Sequence, residues 1–167
     1  KFWEKYYWQK ADRLIAVSEE DAVMMKKIAP GVSVHIVPNG VGDDFSGIST
    51  GLHYNQTILY QGNYKWMQNW EAANVLATQV FPLIKKRLPD AKLVISGQFP
   101  PSRLKALQNK DITISELDDA DHAGVVSAYR KAGLVIAPIY GPGGTRLKTL
   151  AAMASMVPVV TTPIGAE

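Results

Sequence analysis

The sequence predicts an α/β fold, a doubly wound parallel sheet preceded by a short piece of another domain. Short β-type runs recur, and several, such as "LVIAPI" at 134–139, are continuously apolar, as in strands covered on both faces. Helical patterns separate these runs from about residue 57 onward. Residues 38–56 have no periodicity and are rich in Gly, Asp and Ser, which is typical of a linker.

The segment before this linker, residues 1–37, is too short for a hydrophobic core of its own. It contains β-type runs at 13–18 and 32–37 and helical patterns beside them. Its first residues carry an aromatic cluster of Phe2, Trp3, Tyr6, Tyr7 and Trp8. We expect this cluster to pack against parts of the protein outside this sequence, and a membrane-surface face is the alternative.

The elements of the α/β unit, residues 57–167, follow in order. Strands are predicted at 57–62, 92–97, 111–115, 134–139 and 157–162. Between the first two, apolar residues recur at helical spacing from Ala73 to Leu88, and Pro82 predicts a kink or break there. A shorter helix is predicted around 125–130, and "TRLKTLAAMASM" at 145–156 forms the last one.

Composition excludes several classes of function. The formal charge of +3 is too small to indicate a nucleic-acid partner. The absence of cysteine excludes disulfides and thiolate chemistry and favours a reducing, cytoplasmic compartment. No stretch reaches the ~18 apolar residues of a membrane span, which leaves peripheral membrane contact open. His35, His53 and His122 lack ligand spacing and partners, so no metal site is expected.

The loops after the predicted strands are where an open parallel sheet binds ligands. The glycine-rich loop at 139–146 leads into a helix whose first turn carries Arg146 and Lys148, with Thr145 as the expected N-cap. Cations there oppose the helix dipole, by roughly 0.3–1 kcal/mol each. A bound phosphate would explain them, and the alternative is that both side chains extend into solvent. Lys65, after the first strand of the unit, either faces the same crevice or is solvated.

Two common phosphate motifs do not fit this loop. A Walker loop needs Gly immediately before Lys148, where Leu147 stands. A dinucleotide fingerprint needs a third Gly where Arg146 stands, which disfavours a dehydrogenase.

Several segments resemble, in order, the GT-B glycosyltransferases of family 4, which act with retention. They are "ADRLIAVSEEDAVMM", "VHIVPNGV", "ILYQGNYKWMQNWEAA", "FPLIKKRLPDAKLVISG" and "AGLVIAPIYGPGGTRLKTLAAMASMVPVVTTPIGAE". The resemblance covers nearly all of the chain and is strongest to the Gly-Gly-Thr-Arg-Leu-Lys branch. It implies that residues 1–37 end an N-terminal acceptor-side domain. Residues 57–167 would be the nucleotide-sugar-binding, Rossmann-like half of the GT-B fold, cut before its last helices.

The resemblance also implies a function and a site. The full-length parent would transfer a sugar from a nucleotide diphosphate to a saccharide or glycoconjugate acceptor, as in polysaccharide biosynthesis, with no metal or other cofactor. The isolated fragment is expected to be inactive. By resemblance, the donor diphosphate would lie near Gly62, Asn63, Lys65, Gly143, Gly144, Thr145, Arg146 and Lys148. No catalytic residue can be assigned.

One position departs from the family. Ala151 stands where family members typically have a Glu that contacts the ribose of the nucleotide. The alternative function is therefore a degenerate, catalytically inactive GT-B-like domain with a binding or regulatory role. A nucleotide-sugar epimerase of the same architecture also stays open.

Overall fold

A computed structural model describes residues 2–46, 55–139 and 146–166 of the chain. These residues form two compact units, one of residues 2–40 with 146–147, and one of residues 41–139 with 148–166. None of the helices in the described residues is both long enough and apolar enough to span a membrane.

The first unit consists of two helices and two short parallel strands. In chain order these are α1 (Phe2–Trp8), β1 (Arg13–Ala16), α2 (Glu19–Ile28) and β2 (Ser33–Ile36). Ser18 caps α2, because its hydroxyl accepts a hydrogen bond from the Asp21 amide at 3.1 Å. Four aromatic side chains of α1 contact one another and are exposed, namely Phe2, Trp3, Tyr6 and Tyr7.

The second unit contains a five-stranded parallel sheet in the order β5-β4-β3-β6-β7. Its strands are β3 (Thr57–Asn63), β4 (Lys92–Gln98), β5 (Ile112–Glu116), β6 (Leu134–Ala137) and β7 (Val159–Thr161). All seven strand segments predicted from the sequence are confirmed, with ends that shift by up to two residues. The doubly wound parallel sheet is therefore confirmed as the fold class.

Helices cover the sheet through two hydrophobic clusters. The helical elements are α3 (Met67–Val75), a π-helical turn (Leu76–Val80), α4 (Phe81–Arg87), α5 (Ser102–Lys105), α6 (His122–Lys131) and α7 (Leu147–Ala154). Residues of α3, α4 and α5 share one cluster with Ile58 and Tyr60, and residues of α6 and α7 share the other with Leu59. Successive residues of β3 thus point to opposite faces, as a strand buried on both sides requires.

The interruption predicted at Pro82 takes the form of a change in helical register. The π-helical turn Leu76–Val80 joins α3 to α4, and Pro82 occupies the first turn of α4. Proline lacks an amide hydrogen and would clash with the carbonyl four residues earlier in a regular α-helix. A wider turn before it relieves that clash, so both helices stay against the sheet.

The segment predicted as a linker contains an ordered turn. Asp43–Phe45 forms a 3₁₀ turn, and Phe45 is buried against Tyr129 of α6 with ring centroids 5.6 Å apart. The backbone oxygen of Asp44 accepts a hydrogen bond from Arg130 at 3.0 Å. Residues 43–45 are therefore part of the packing of the second unit.

Candidate functional site

The sheet changes direction between β3 and β6. From β3 the chain passes through α3 to β4 on one side, and from β6 it passes through α7 to β7 on the other side. Such a topological switch point leaves a crevice beyond the carboxyl ends of the two strands, flanked by the starts of both helices. The residues around this crevice are the candidate site.

Lys148, the second residue of α7, reaches the β3 side of this switch point. Its ammonium donates a hydrogen bond to Asn69 Oδ1 at 2.6 Å and another to the Tyr60 hydroxyl at 3.3 Å. The same nitrogen lies 4.8 Å from the centroid of the Tyr60 ring. A residue of α7 is thus joined to one of α3 and one of β3.

The environment of Lys148 is poor in negative charge. Burial lowers the pKa of Lys148 from 10.5 to about 8. Within residues 2–46, 55–139 and 146–166, no carboxylate pairs with this ammonium. Its partners are a neutral amide and a neutral hydroxyl, which accept hydrogen bonds from two of its three donors without compensating its charge. An anion entering the crevice would supply that compensation.

Asn69 extends this network to the end of β3. Its Nδ2 donates a hydrogen bond to the backbone oxygen of Asn63 at 2.8 Å. The side-chain oxygen of Asn63 accepts a hydrogen bond from the amide of Lys65 at 3.1 Å. The structure therefore brings Asn63, Lys65 and Lys148, three of the residues predicted from the sequence, into one connected set.

Two glycines lie side by side in β3 and β4 at this end of the sheet. Gly62 and Gly97 are register partners, and a Cβ atom added to Gly97 would lie 1.7 Å from the backbone oxygen of Gly62. Gly97 also has a φ of +141°, which side chains rarely adopt. Gly62, another predicted site residue, therefore lies where β4 has no room for a side chain.

Phe99, two residues after Gly97, also has an uncommon backbone conformation. Its φ is +57°, and the residue is 40% exposed. The ammonium of Lys65 lies 3.6 Å from the centroid of this ring. Lys65 is thus exposed to solvent, and its ammonium rests on Phe99 in a cation–π contact.

Several predicted residues fall at or beyond the edge of what the structure describes. Gly143, Gly144 and Thr145 lie outside the described residues, so their predicted role rests on the sequence. Arg146 immediately precedes the first residue of α7, Leu147, whereas the sequence placed it within the first helical turn.

Ala151, the position of the missing acid, is 5% exposed. It lies three residues after Lys148, on the same side of α7. It belongs to the hydrophobic cluster that also contains Tyr129, Val126 and Phe45. The position is therefore apolar and closely packed in this chain.

Sequence reasoning missed three residues of the site. Tyr60, Asn69 and Phe99 contact the predicted lysines, yet none belongs to a glycine-rich or cationic motif. The available signals were the hydroxyl of Tyr60 in the apolar run "TILYQG" and the side-chain amide of Asn69 in the first turn of α3. Phe99 had no such signal, because its backbone conformation is not readable from its residue type.

The expectation that His122 has no partner was wrong. Nε2 of His122 contacts a carboxylate oxygen of Asp44, which lies in the 3₁₀ turn of the same unit. His35 contacts Ser33 Oγ at 3.2 Å, and His53 lies outside the described residues. Among the described residues, no group of three or more His, Asp or Glu side chains could hold a metal ion.

A doubly wound parallel sheet with a crevice at its switch point is the architecture of Rossmann-like α/β domains. The family model described as "Glycosyl transferases group 1" matches residues 55–167. The chain therefore belongs to this glycosyltransferase family. No protein with a curated description matches it significantly in sequence.

Solved structures show the same fold. TarM superposes with a TM-score of 0.70 at 15% identity, over 98% of this chain and 32% of TarM. HepE from Anabaena, in complex with UDP and glucose, superposes with a TM-score of 0.66 at 14% identity, over 93% of this chain and 46% of HepE. WaaG, a glycosyltransferase involved in lipopolysaccharide biosynthesis, superposes with a TM-score of 0.64 at 19% identity, over 91% of this chain and 44% of WaaG. These likenesses support the GT-B, Rossmann-like fold class, and the chain spans about a third to a half of the length of each structure.

Proposed function

We propose that this chain carries the donor-binding half of a retaining glycosyltransferase of family 4, and that its crevice binds the diphosphate of a nucleotide sugar. The observation that carries the proposal is the buried ammonium of Lys148, which has neutral partners and stands at the switch point of the sheet. A diphosphate is a ligand of the right charge for it, and HepE, which shares the fold, was crystallised with UDP.

The proposed reaction transfers the sugar to a hydroxyl group of a saccharide or glycoconjugate. The acceptor oxygen forms a bond to the anomeric carbon, while the bond from that carbon to the diphosphate oxygen breaks. The bonding electrons leave with the nucleoside diphosphate, and the proton of the acceptor hydroxyl passes to an oxygen of that departing diphosphate. With retention, the new bond lies on the face from which the diphosphate departs.

Lys148 would act on the leaving group in this reaction. Negative charge accumulates on the diphosphate as the bond breaks, and a fixed cation in a crevice shielded from water stabilises that charge more than solvent does. Asn69 and Tyr60 hold the ammonium in place through hydrogen bonds that are already formed. The positive charge of Lys148 would stabilise the departing diphosphate, as a bound metal ion does in other transferases.

Calorimetry tests the binding step. Native protein is expected to bind UDP or another nucleoside diphosphate, and also inorganic pyrophosphate, more weakly. Lys148→Met should weaken both ligands at least tenfold, because each loses a charge-assisted contact. Lys131→Met is the matched control, since Lys131 is exposed at the end of α6 and the change removes the same charge. Equal affinities in the two variants would refute the proposal.

A second candidate function is nucleotide binding without sugar transfer. Ala151 favours it, because the position predicted to hold the ribose with a carboxylate is filled by a methyl group in a hydrophobic cluster. Ala151→Glu discriminates between the two functions. A large gain in nucleotide affinity would support degeneration at this position. An unchanged or lower affinity, beside tight native binding, would favour the transferase.

A further inference from the structure

Phe99 has a backbone conformation that its residue type disfavours. Within the described residues, Phe99 and Met156 are the non-glycine residues with positive φ, at +57° and +53°. Bulky side chains are uncommon in this region, where glycine or asparagine is the usual choice. Such outliers cluster at functional sites, where the surrounding structure holds them in place.

The surroundings of Phe99 hold its ring at the surface. Gly97, two residues earlier, is packed against Gly62 of the neighbouring strand, and Pro100, immediately after, is buried. The backbone on both sides of Phe99 is therefore held in place, yet 40% of the residue stays exposed. An aromatic side chain fixed and exposed in this way presents a flat apolar surface that a second ring could cover.

Phe99 is joined to the crevice by direct contacts. The amide of Tyr64 donates to the backbone oxygen of Gln98 at 2.9 Å, which ties the segments after β3 and β4 together. Lys65 places its ammonium on the Phe99 ring, while its amide is bonded to Asn63. Asn63 is in turn bonded to Asn69, the partner of Lys148.

We propose that Phe99, with Lys65 resting on it, is a stacking platform for the base of the bound nucleotide. The proposal rests on the proposed function, in which Lys148 binds the diphosphate of the same molecule. Nucleobases stack on aromatic side chains whatever their hydrogen-bonding pattern, because every base has a π-face. The platform would therefore raise affinity for nucleoside diphosphates in general, and specificity for one base would come from other contacts.

Phe99→Gly is the informative variant. Glycine adopts positive φ freely, so relief of the backbone conformation offsets the lost packing of the ring, and the melting temperature should stay within a few degrees of the native value. Calorimetry with UDP and GDP should show about tenfold weaker binding of each, the loss expected for one stacked base. Binding of inorganic pyrophosphate, which has no base, should not change.

Met156→Gly is the matched control. Met156 has nearly the same φ but lies beyond the end of α7 opposite to Lys148, so its replacement should leave the affinity for all three ligands unchanged. Phe99→Asn provides a second variant, because asparagine tolerates positive φ and has no ring to stack on a base. It should reproduce the loss seen with Phe99→Gly.

The outcomes separate this inference from the function on which it rests. If native protein binds UDP, GDP and pyrophosphate, and Phe99→Gly binds all three as the native protein does, the platform is refuted and the diphosphate site stands. If native protein binds none of the three, the proposed function fails and the platform fails with it. A loss of affinity for pyrophosphate as large as that for UDP would also overturn the platform, because the base would not be what Phe99 contacts.

Discussion

The ammonium of Lys148 lies 2.6 Å from the side-chain oxygen of Asn69. This contact joins α7 to α3, two helices that cover opposite faces of the sheet. Most buried lysines are paired with a carboxylate, which fixes their charge. Here the partner is an amide, so the position of the ammonium is fixed while its charge stays available. That distinction underlies the first two predictions.

Lys148 should make stability depend on pH in the alkaline range. Its pKa in the folded protein, about 8, is below the ordinary value of 10.5. Between these values the unfolded chain binds more protons than the folded one, so the free energy of unfolding should rise as the pH rises. The full shift corresponds to ~3 kcal/mol. Urea unfolding at several pH values between 8 and 10, below the ordinary tyrosine pKa, checks this, and Lys148→Met should lose the rise in that range. The same dependence in native and variant protein would contradict it.

Asn69→Asp should place a carboxylate beside Lys148 with little change in shape. The new ion pair raises the pKa of Lys148 and compensates its charge within the protein. Nucleoside diphosphate binding should then fall at least tenfold, because the ligand meets a neutralised pair and an added negative charge. Asn74→Asp, elsewhere on α3, is the control for adding the same charge. Calorimetry measures both, and equal affinities would argue against a role for Asn69 in holding a free cation.

Gly97→Ala should strongly destabilise the second unit. The added Cβ would lie 1.7 Å from the backbone oxygen of Gly62, and φ at this position is +141°. We expect a loss of about 3 kcal/mol or more, because two backbones would have to separate. In Gly31→Ala, by contrast, the new Cβ would meet no atom within 4 Å, so stability should be unchanged or slightly higher. Thermal and urea unfolding compare the two variants.

Phe45→Ala should reveal whether residues 43–45 belong to the second unit. Phe45 is 5% exposed and packs edge-to-face against Tyr129, so its loss leaves a cavity and should reduce stability by about 3 kcal/mol. Phe2→Ala provides the comparison, since Phe2 is 76% exposed and its removal should have little effect. If the two variants are equally stable, residues 43–45 act as the passive linker that the sequence suggested.

The strands of this fold were predictable because their physical cause is local. A strand buried on both faces must be apolar at every position, and runs such as "LVIAPI" have that property. Lys148 was also visible in the sequence, because a cation at the start of a helix violates a local electrostatic preference. In both cases the signal lies within a few residues.

The partners of Lys148 depend on contacts that are distant in the chain. Asn69 and Tyr60 are 79 and 88 residues away from Lys148 in the sequence, and their neighbouring residues do not indicate that they contact it. Phe45 is similar, since a single aromatic residue in a polar segment gains its burial from residues far along the chain, such as Tyr129 of α6. The positive φ of Phe99 likewise has no counterpart in its residue type, which disfavours that conformation.

The low pKa of Lys148 has a consequence for the energetics of ligand capture. Near pH 8 only about half of the molecules carry the proton on this nitrogen. A diphosphate that favours the charged form would therefore draw protons from the surrounding solution as it enters the crevice. The measured heat of binding would then vary with the ionisation enthalpy of the buffer, and the ligand would leave more readily as the solution becomes more alkaline.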